Sequence, residues 1–157
     1  ATTQKPTAVL DPTDSFEAHV ADTLATYKAK QPTPMEALLA AHQLLQTLDP
    51  ATTNDPETLG LWGAVHKRLW DLDRQPRYLD EAVGAYSRGF YLRQDHYNGV
   101  NYAYLLELRA LQSARAGAFE DAIELRLLRR GLLNAGLDLA EYGYAADIGC
   151  KVRFEPR

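Results

Sequence analysis

The fold is decided by the run LGLWGAVHKRLW over residues 59–70, where large and small apolar residues are interrupted by the charged pair Lys67-Arg68. Its apolar positions recur at steps of three and four: Leu59, Trp62, Val65 or His66, Leu69 and Trp70. This spacing gathers them on one face of an α-helix. Just upstream, Asp55 can cap the first turn and Pro56 suits its first position. The run therefore predicts an amphipathic helix over about 56–72.

The same reasoning, applied outward, predicts an all-α chain and no strand. Further helices are expected over about 15–30, 34–48, 77–93, 97–116 and 119–133, and 137–146 is a candidate for a short seventh. Thr33-Pro34 supplies a cap and a first-turn proline, while Gly117 suits a helix end. We expect a flexible lead-in over 1–12, a helical domain over 13–146 and an irregular tail over 147–157. The tail either continues into further chain or is not native.

Small residues repeat along the chain at matching intervals. The interval from Gly63 to Ala82 equals the interval from Ala103 to Ala122, and the second pair follows the first by forty positions. This offset is called the repeat period below. Stacked helix pairs bury a face that a single pair would expose, and they need small residues at close contacts. Any helical bundle also places small and large residues at its contacts, so this alternative stays open. The spacing favours a solenoid of about three antiparallel pairs, with residues 63 and 82 close in space.

A family resemblance is carried by residues 59–70, 78–90 and 95–106. The last run is the most specific, and its matching residues are Tyr97, Gly99, Asn101, Ala103, Leu105 and Leu106. Together these runs resemble the TRAF-binding, tetratricopeptide-like central region of the apoptosis signal-regulating kinases and its bacterial relatives. The resemblance implies a regulatory, partner-binding solenoid within a larger signalling protein, without fixing a partner. The repeat period exceeds the roughly 34 residues of a standard tetratricopeptide unit. We expect the extra length in the connections near 71–78 and 114–119.

Composition restricts the class of protein. The net charge is −4 and the pI about 5.5, which argues against a general nucleic-acid binder. The single cysteine, Cys150, excludes an intrachain disulfide and fits a reducing, cytoplasmic compartment. Apolar stretches are too short for a membrane helix, and the N-terminal segment does not resemble a signal peptide.

Few residues suggest a catalytic or metal-binding role. The four histidines have no metal-binding spacing, so we expect no metal and no cofactor. His66 falls on a core-like face, where a structural histidine is favoured. Cys150 is expected to be an ordinary free thiol. Asp95, His96 and Asn101 allow an alternative, a small-molecule enzyme on a helical scaffold, but a turn followed by a helix start explains the segment more simply. We therefore predict that the chain is not an enzyme.

Two surfaces are candidates for a protein or peptide partner. Arg68, Asn101 and Tyr104 fall on the first helices of successive pairs and are expected to line a concave groove. Arg126 and Arg130 share a helix face that could grip carboxylates or phosphates. The alternative for this basic face is solvation, or pairing with Glu120 and Glu124. The sequence does not determine the oligomeric state.

Overall fold

The computed structural model describes residues 28–134 and the isolated positions 18, 21, 22 and 25. It contains five bounded helices: α1 (Pro34–Gln46), α2 (Pro56–Asp73), α3 (Pro76–Arg93), α4 (His96–Arg115) and α5 (Phe119–Asn134). Within the described residues there is no strand, and the prediction of an all-α fold is confirmed. Of the helix predicted over 15–30, positions 18, 21, 22, 25, 28 and 29 are helical. The lead-in, the candidate helix at 137–146 and the tail lie outside the described residues.

Three helices begin with the side-chain caps that the sequence suggests or allows. The Thr33 hydroxyl accepts the Glu36 N–H at the start of α1. The Asp55 carboxylate accepts the Thr58 N–H at 2.7 Å, and one repeat period later Asp95 accepts the Asn98 N–H at 2.9 Å. Such caps satisfy backbone donors that have no partner within the helix. The repeat therefore extends to the start signals of α2 and α4.

The connections between paired helices are very short. Arg74 and Gln75 alone join α2 to α3, and Arg74 ends α2 in the left-handed conformation at φ 56°. Gln94 ends α3 in the same way. The expectation that the extra length of the repeat lies in the connections is wrong, because α2 and α3 have 18 residues each and α4 has 20. The extra length of the period lies in longer helices.

Glycines allow the helices to approach closely. A Cβ built on Gly63 of α2 would lie 2.7 Å from the Tyr86 ring of α3. A Cβ on Gly89 of α3 would lie 2.7 Å from the Asn98 side chain of α4. Contacts this short essentially never occur at real Cβ atoms, so a Cβ at either position would force its neighbour to shift. The sequence expectation that a small residue at 63 serves close packing is confirmed.

Two clusters of buried side chains form the core. One joins α1 to the first helix pair through residues that include Leu38, Leu45, Trp62 and Leu69. The other joins α2, α3, α4 and α5 through residues that include Trp70, Tyr86, Tyr102 and Leu132. Each helix packs on the next along the chain, and α2 also contacts α4. This layered order brings the first helices of successive pairs side by side.

The candidate partner-binding groove

The groove expected from the sequence would lie where α2 contacts α4. Matching positions recur one repeat period apart along the two helices: Ala64, Arg68 and Asp71 on α2, and Tyr104, Leu108 and Leu111 on α4. Each set follows a three-four helical spacing, so each is a stripe along one side of its helix. The name groove below refers to these residues together with Lys67 and Asn101 between them. Arg68, Asn101 and Tyr104 are the candidates from the sequence, and their role in binding stays a prediction.

Lys67 links α2 to α4. Only 2% of this residue is exposed. Its ammonium group donates a hydrogen bond to Asn101 Oδ1 at 3.2 Å and lies 5.0 Å from the centre of the Tyr104 ring. Lysine is rarely buried unless its charge is compensated, and an aromatic face supplies part of that compensation. Sequence reasoning missed Lys67, because it lies next to the α2 stripe of Ala64, Arg68 and Asp71 and is not a member of it.

Asn101 is held in one orientation. Its Nδ2 donates to the Tyr97 carbonyl oxygen at 2.9 Å, one turn earlier in α4, while its Oδ1 accepts from Lys67. The side chain is buried. This amide therefore has a structural role, and it holds the Lys67 ammonium group in place.

Among the charged side chains named around the groove, the positive ones outnumber the negative one. Burial raises the pKa of Asp71, and the nearby Arg74, Lys67 and Arg68 partly oppose that shift. The Arg74 guanidinium lies 3.9 Å from Asp71 Oδ1 and stacks 4.1 Å from the Trp70 ring. Three cationic side chains thus act on one carboxylate. A local excess of positive charge attracts anionic groups, even on a chain that is acidic as a whole.

The basic face on α5 differs in detail from the sequence expectation. Arg126 and Arg130 are both exposed. Arg126 makes a forked contact with Glu107 of α4, with Nη2 to Oε1 at 2.8 Å and Nε to Oε1 at 3.2 Å. This carboxylate raises the pKa of Arg126. The sequence suggested pairing with Glu120 or Glu124 on the same helix, but the partner of Arg126 is on the neighbouring helix.

The contact between Glu107 and Arg126 has a counterpart in the preceding helix pair. Glu107 and Arg126 are 19 residues apart, as are Trp62 and Glu81, which share a 3.2 Å hydrogen bond. In both cases a side chain of a first helix meets a side chain of the second helix of its pair. The interval that the small residues show in the sequence is therefore also the interval of polar contacts within each pair.

The residues of the enzyme alternative have structural roles in this arrangement. Asp95 caps α4 and also accepts a hydrogen bond from Asn98 Nδ2 at 2.8 Å. His96 occupies the first position of α4 and is exposed. Asn101 is engaged by Tyr97 and Lys67. Over the described part of the chain, no group of three or more histidine, cysteine or acidic side chains is placed to hold a metal.

Two histidines, His42 of α1 and His66 of α2, pack against the Trp62 ring. Trp62 stacks on His42, with ring centres 4.6 Å apart, and its ring centre is 4.2 Å from that of His66. His66 Nδ1 lies 2.8 Å from the Trp62 carbonyl oxygen, and burial lowers the pKa of both histidines. The prediction of a buried, hydrogen-bonded His66 is confirmed. The contribution of His42 was missed because it comes from another helix.

A concavity away from the groove residues was not foreseen. It has a volume of about 570 Å³ and lies between the 47–55 loop and the α2–α3 pair. Arg88 of α3 holds this loop by donating to three carbonyl oxygens, those of Pro50, Ala51 and Thr53. Asp49, Asp80 and Glu81 make its lining acidic. These contacts fasten the loop, and we assign the concavity no ligand.

The architecture defines a class of protein, the all-α repeat proteins built from stacked, tetratricopeptide-like helix pairs. A family model described as Tetratricopeptide Repeats-Sensor matches residues 3–106, well over half of the 157-residue chain. The chain belongs to this family. No curated protein and no solved structure matches it. Domains of the tetratricopeptide type generally mediate protein–protein interaction and are typically not enzymes. Among the described helices, none is both long and apolar enough to cross a membrane.

Proposed function

We propose that this domain is a regulatory interaction module that holds an acidic peptide segment or partner helix in the groove between α2 and α4. The observation that carries the proposal is the buried Lys67, held between Asn101 and the Tyr104 ring. Burying a charged ammonium group costs desolvation free energy. An apolar side chain at the same position would not have that cost. A binding role gives a reason for keeping the lysine. The word sensor in the family description fits a module that detects a partner.

The groove offers chemistry suited to such a segment. Arg68 and Arg74 can contact carboxylates at the rim through forked guanidinium groups. Leu108 is half-buried and provides an aliphatic surface, and the 6% of Tyr104 that is exposed adds the edge of an aromatic ring; aromatic anchors dominate many peptide interfaces. An extended or helical segment with acidic residues beside an apolar anchor matches both features.

The basic face of α5 is proposed as a secondary contact, formed by Arg126 and Arg130. Both side chains are exposed at the surface. Arg126 becomes available to a partner after it exchanges Glu107 for a partner carboxylate, and its forked contact with Glu107 shows the geometry that such a carboxylate would adopt.

The proposal also covers the kind of protein that contains this domain, its compartment and the bounds of the domain. The resemblance to the central region of the apoptosis signal-regulating kinases supports a place within a larger signalling protein. The single cysteine supports a cytoplasmic site. We propose that the helical domain spans 13–146, with the groove near its middle.

The test uses a library of displayed peptides selected against the full chain. We expect enrichment of acidic sequences with an aromatic or aliphatic anchor. Arg68→Glu should weaken the best peptide at least tenfold, because it replaces an attractive charge at the groove by a repulsive one. Arg93→Glu is the matched control, since Arg93 is an exposed arginine at the end of α3. Equal losses for both variants, or no loss for Arg68→Glu, would contradict the proposal.

The enzyme alternative, with Asp95, His96 and Asn101, has no geometric support of its own, because two of the three residues are already engaged in helix capping and groove contacts. The peptide-binding assay also tests the role of these three residues. If His96→Ala alone abolished peptide binding, this assignment of roles would be wrong.

A further inference from the structure

A cavity continues the line of the groove residues toward the start of α2. It has a volume of about 330 Å³, and the described residues that line it include Leu61 of α2 and Tyr97 of α4. Leu61 lies three positions before Ala64, and Tyr97 lies seven positions before Tyr104, so both extend the stripes that define the groove. Ligand pockets have volumes of roughly 300–1,000 Å³, and this one is small enough to suit a single large side chain. It is called the anchor pocket below.

The Tyr97 wall of the anchor pocket is held in place before anything binds. A Cβ built on Gly60 would lie 3.1 Å from Tyr97 Cε1, so the ring packs close to the backbone of α2. Its other neighbour is the buried Tyr86 ring of α3, at 6.0 Å between ring centres and an interplanar angle of 66°. Even so, 47% of Tyr97 is exposed. A surface that is ordered in advance loses little conformational freedom on binding.

The charges at the two ends of the groove differ. Among the described residues that line the anchor pocket, two are acidic, Glu57 and Asp95, and one is basic, Arg93. Toward the end of α2, three cations, with Arg68 among them, act on the single carboxylate of Asp71. Complementary charges favour association and like charges oppose it. An acidic side chain is therefore favoured near Arg68, and an uncharged one in the anchor pocket.

We propose that the anchor pocket receives an aromatic side chain of the bound segment, and that an acidic side chain three positions away in that segment contacts Arg68. This inference rests on the proposed function, because it specifies the kind of segment that the groove would bind. The aromatic choice follows from the Tyr97 wall, since two rings attract each other beyond the effect of burial alone.

The spacing of three follows from the geometry of α2. Leu61 and Arg68 are seven positions apart, which corresponds to a rise of about 10 Å along an α-helix. A short peptide is expected to bind in extended form, because isolated helices below about 12 residues are marginal in water. Three residues of extended chain also span about 10 Å.

The first experiment tests the anchor pocket without a peptide. The uncharged probe N-acetyltryptophanamide is titrated into the isotope-labelled full chain, and the leucine methyl signals are followed by nuclear magnetic resonance. We expect the Leu61 signals to shift and those of Leu72 to stay unchanged, since Leu72 is a 50% exposed leucine near the other end of α2. Tyr97→Ala should abolish the Leu61 shift. Tyr91→Ala should retain it and is the matched control, because Tyr91 is 55% exposed and its ring also contacts a buried tyrosine.

The second experiment repeats the displayed-peptide selection in parallel against the unchanged chain and against variants. With the unchanged chain, an aromatic and an acidic residue should occur three positions apart at least about tenfold more often than one or six apart, because aromatic anchors dominate binding. Tyr97→Ala should lose the aromatic preference and keep the acidic one, and Arg68→Glu should do the reverse. Tyr91→Ala should match the unchanged chain. Arg93→Glu stays a control, because an uncharged anchor forms no ion pair with it.

A competition measurement needs no variant, so it decides the matter even if Tyr97→Ala fails to fold. An excess of N-acetyltryptophanamide should displace the best selected peptide from the unchanged chain. A probe that shifts the Leu61 signals and leaves the peptide bound would make the anchor pocket a small-molecule site, and the proposed peptide anchor would be wrong.

Other results separate this inference from the proposed function. Unshifted Leu61 signals, or an equal shift in Tyr97→Ala, would overturn the anchor pocket. Acidic peptides that depend on Arg68 but have no aromatic residue at a spacing of three would overturn the register and leave the groove standing; a spacing of seven would indicate a helical segment and would overturn it as well. Peptides that need Tyr97 and bind Arg68→Glu unchanged would contradict the acidic contact of the proposed function.

Discussion

Replacing Gly63 by alanine tests the close approach of α2 and α3. The added methyl group would meet three atoms of the Tyr86 ring at 2.7, 2.7 and 3.0 Å, where ordinary contacts begin near 3.4 Å. Tyr86 is almost fully buried and its ring is rigid, so relief requires a shift of several tenths of an ångström between packed helices. Overpacking of this kind costs about 1–3 kcal/mol. The better helix propensity of alanine returns roughly 0.5–1 kcal/mol.

The expected net loss for Gly63→Ala is therefore about 1–2 kcal/mol, which corresponds to a drop in Tm of roughly 3–8 °C for a chain of this length. The assay is thermal and urea unfolding followed by far-ultraviolet circular dichroism. Gly84→Ala is the matched control, because Gly84 lies in α3 with no atom within 4 Å of the position of its Cβ. It should raise the Tm by roughly 2–4 °C through propensity alone.

The combination Gly63→Ala with Tyr86→Leu sharpens the test. If the clash is the cause, the smaller side chain relieves it, and the double variant is more stable than the sum of the two single effects predicts. A Gly63→Ala protein as stable as the Gly84→Ala protein would refute the packing described for α2 and α3.

Three further changes follow from the same structure. Trp62→Ala should lower the free energy of unfolding by about 3–5 kcal/mol in urea titration, since the indole is buried between His42 and His66; a loss below about 1 kcal/mol would contradict this packing. Asp95→Ala should cost about 1 kcal/mol in the same titration through loss of the cap on α4, whereas Asp95→Asn should retain most of it. Burial lowers the pKa of His42 and His66 below 6.5 in the folded state, so the unfolded chain binds more protons below that pH. Stability should therefore fall as the pH drops from 7 toward 5, and His66→Gln should flatten that slope; an unchanged slope would show that other groups cause it.

Local signals made most of the fold predictable. Helix starts could be placed because a capping side chain and a proline act within one turn, as at Thr33-Pro34 and Asp55-Pro56. The apolar stripe of α2 was readable for the same reason. The expectation that the extra length of the repeat lies in the connections was wrong, although the predicted bounds of 56–72 and 77–93 already left only a short connection between these two helices. Arg74 ends α2 in a left-handed conformation that glycine usually adopts, and the break is signalled instead by Pro76 two residues later.

The candidate site was predictable only in part. Arg68, Asn101 and Tyr104 could be chosen because they fall on the first helices of successive pairs. Lys67 could not, since its partner Asn101 is 34 residues away and lies on another helix. The same distance argument applies to Arg126, whose partner Glu107 becomes a neighbour only after α4 and α5 pack. Long side chains contact atoms of neighbouring helices, and the spacing of residues along the sequence does not predict which atoms these are.

The most direct measurement of the central claim is nuclear magnetic resonance of the isotope-labelled full chain bound to its best selected peptide. We predict intermolecular Overhauser contacts from the peptide to the Tyr104 ring and the Leu108 methyl groups, with a shifted Lys67 ammonium signal. Contacts confined to the Arg126 and Arg130 face, with Tyr104 and Lys67 unperturbed, would contradict the assignment of the groove as the binding surface.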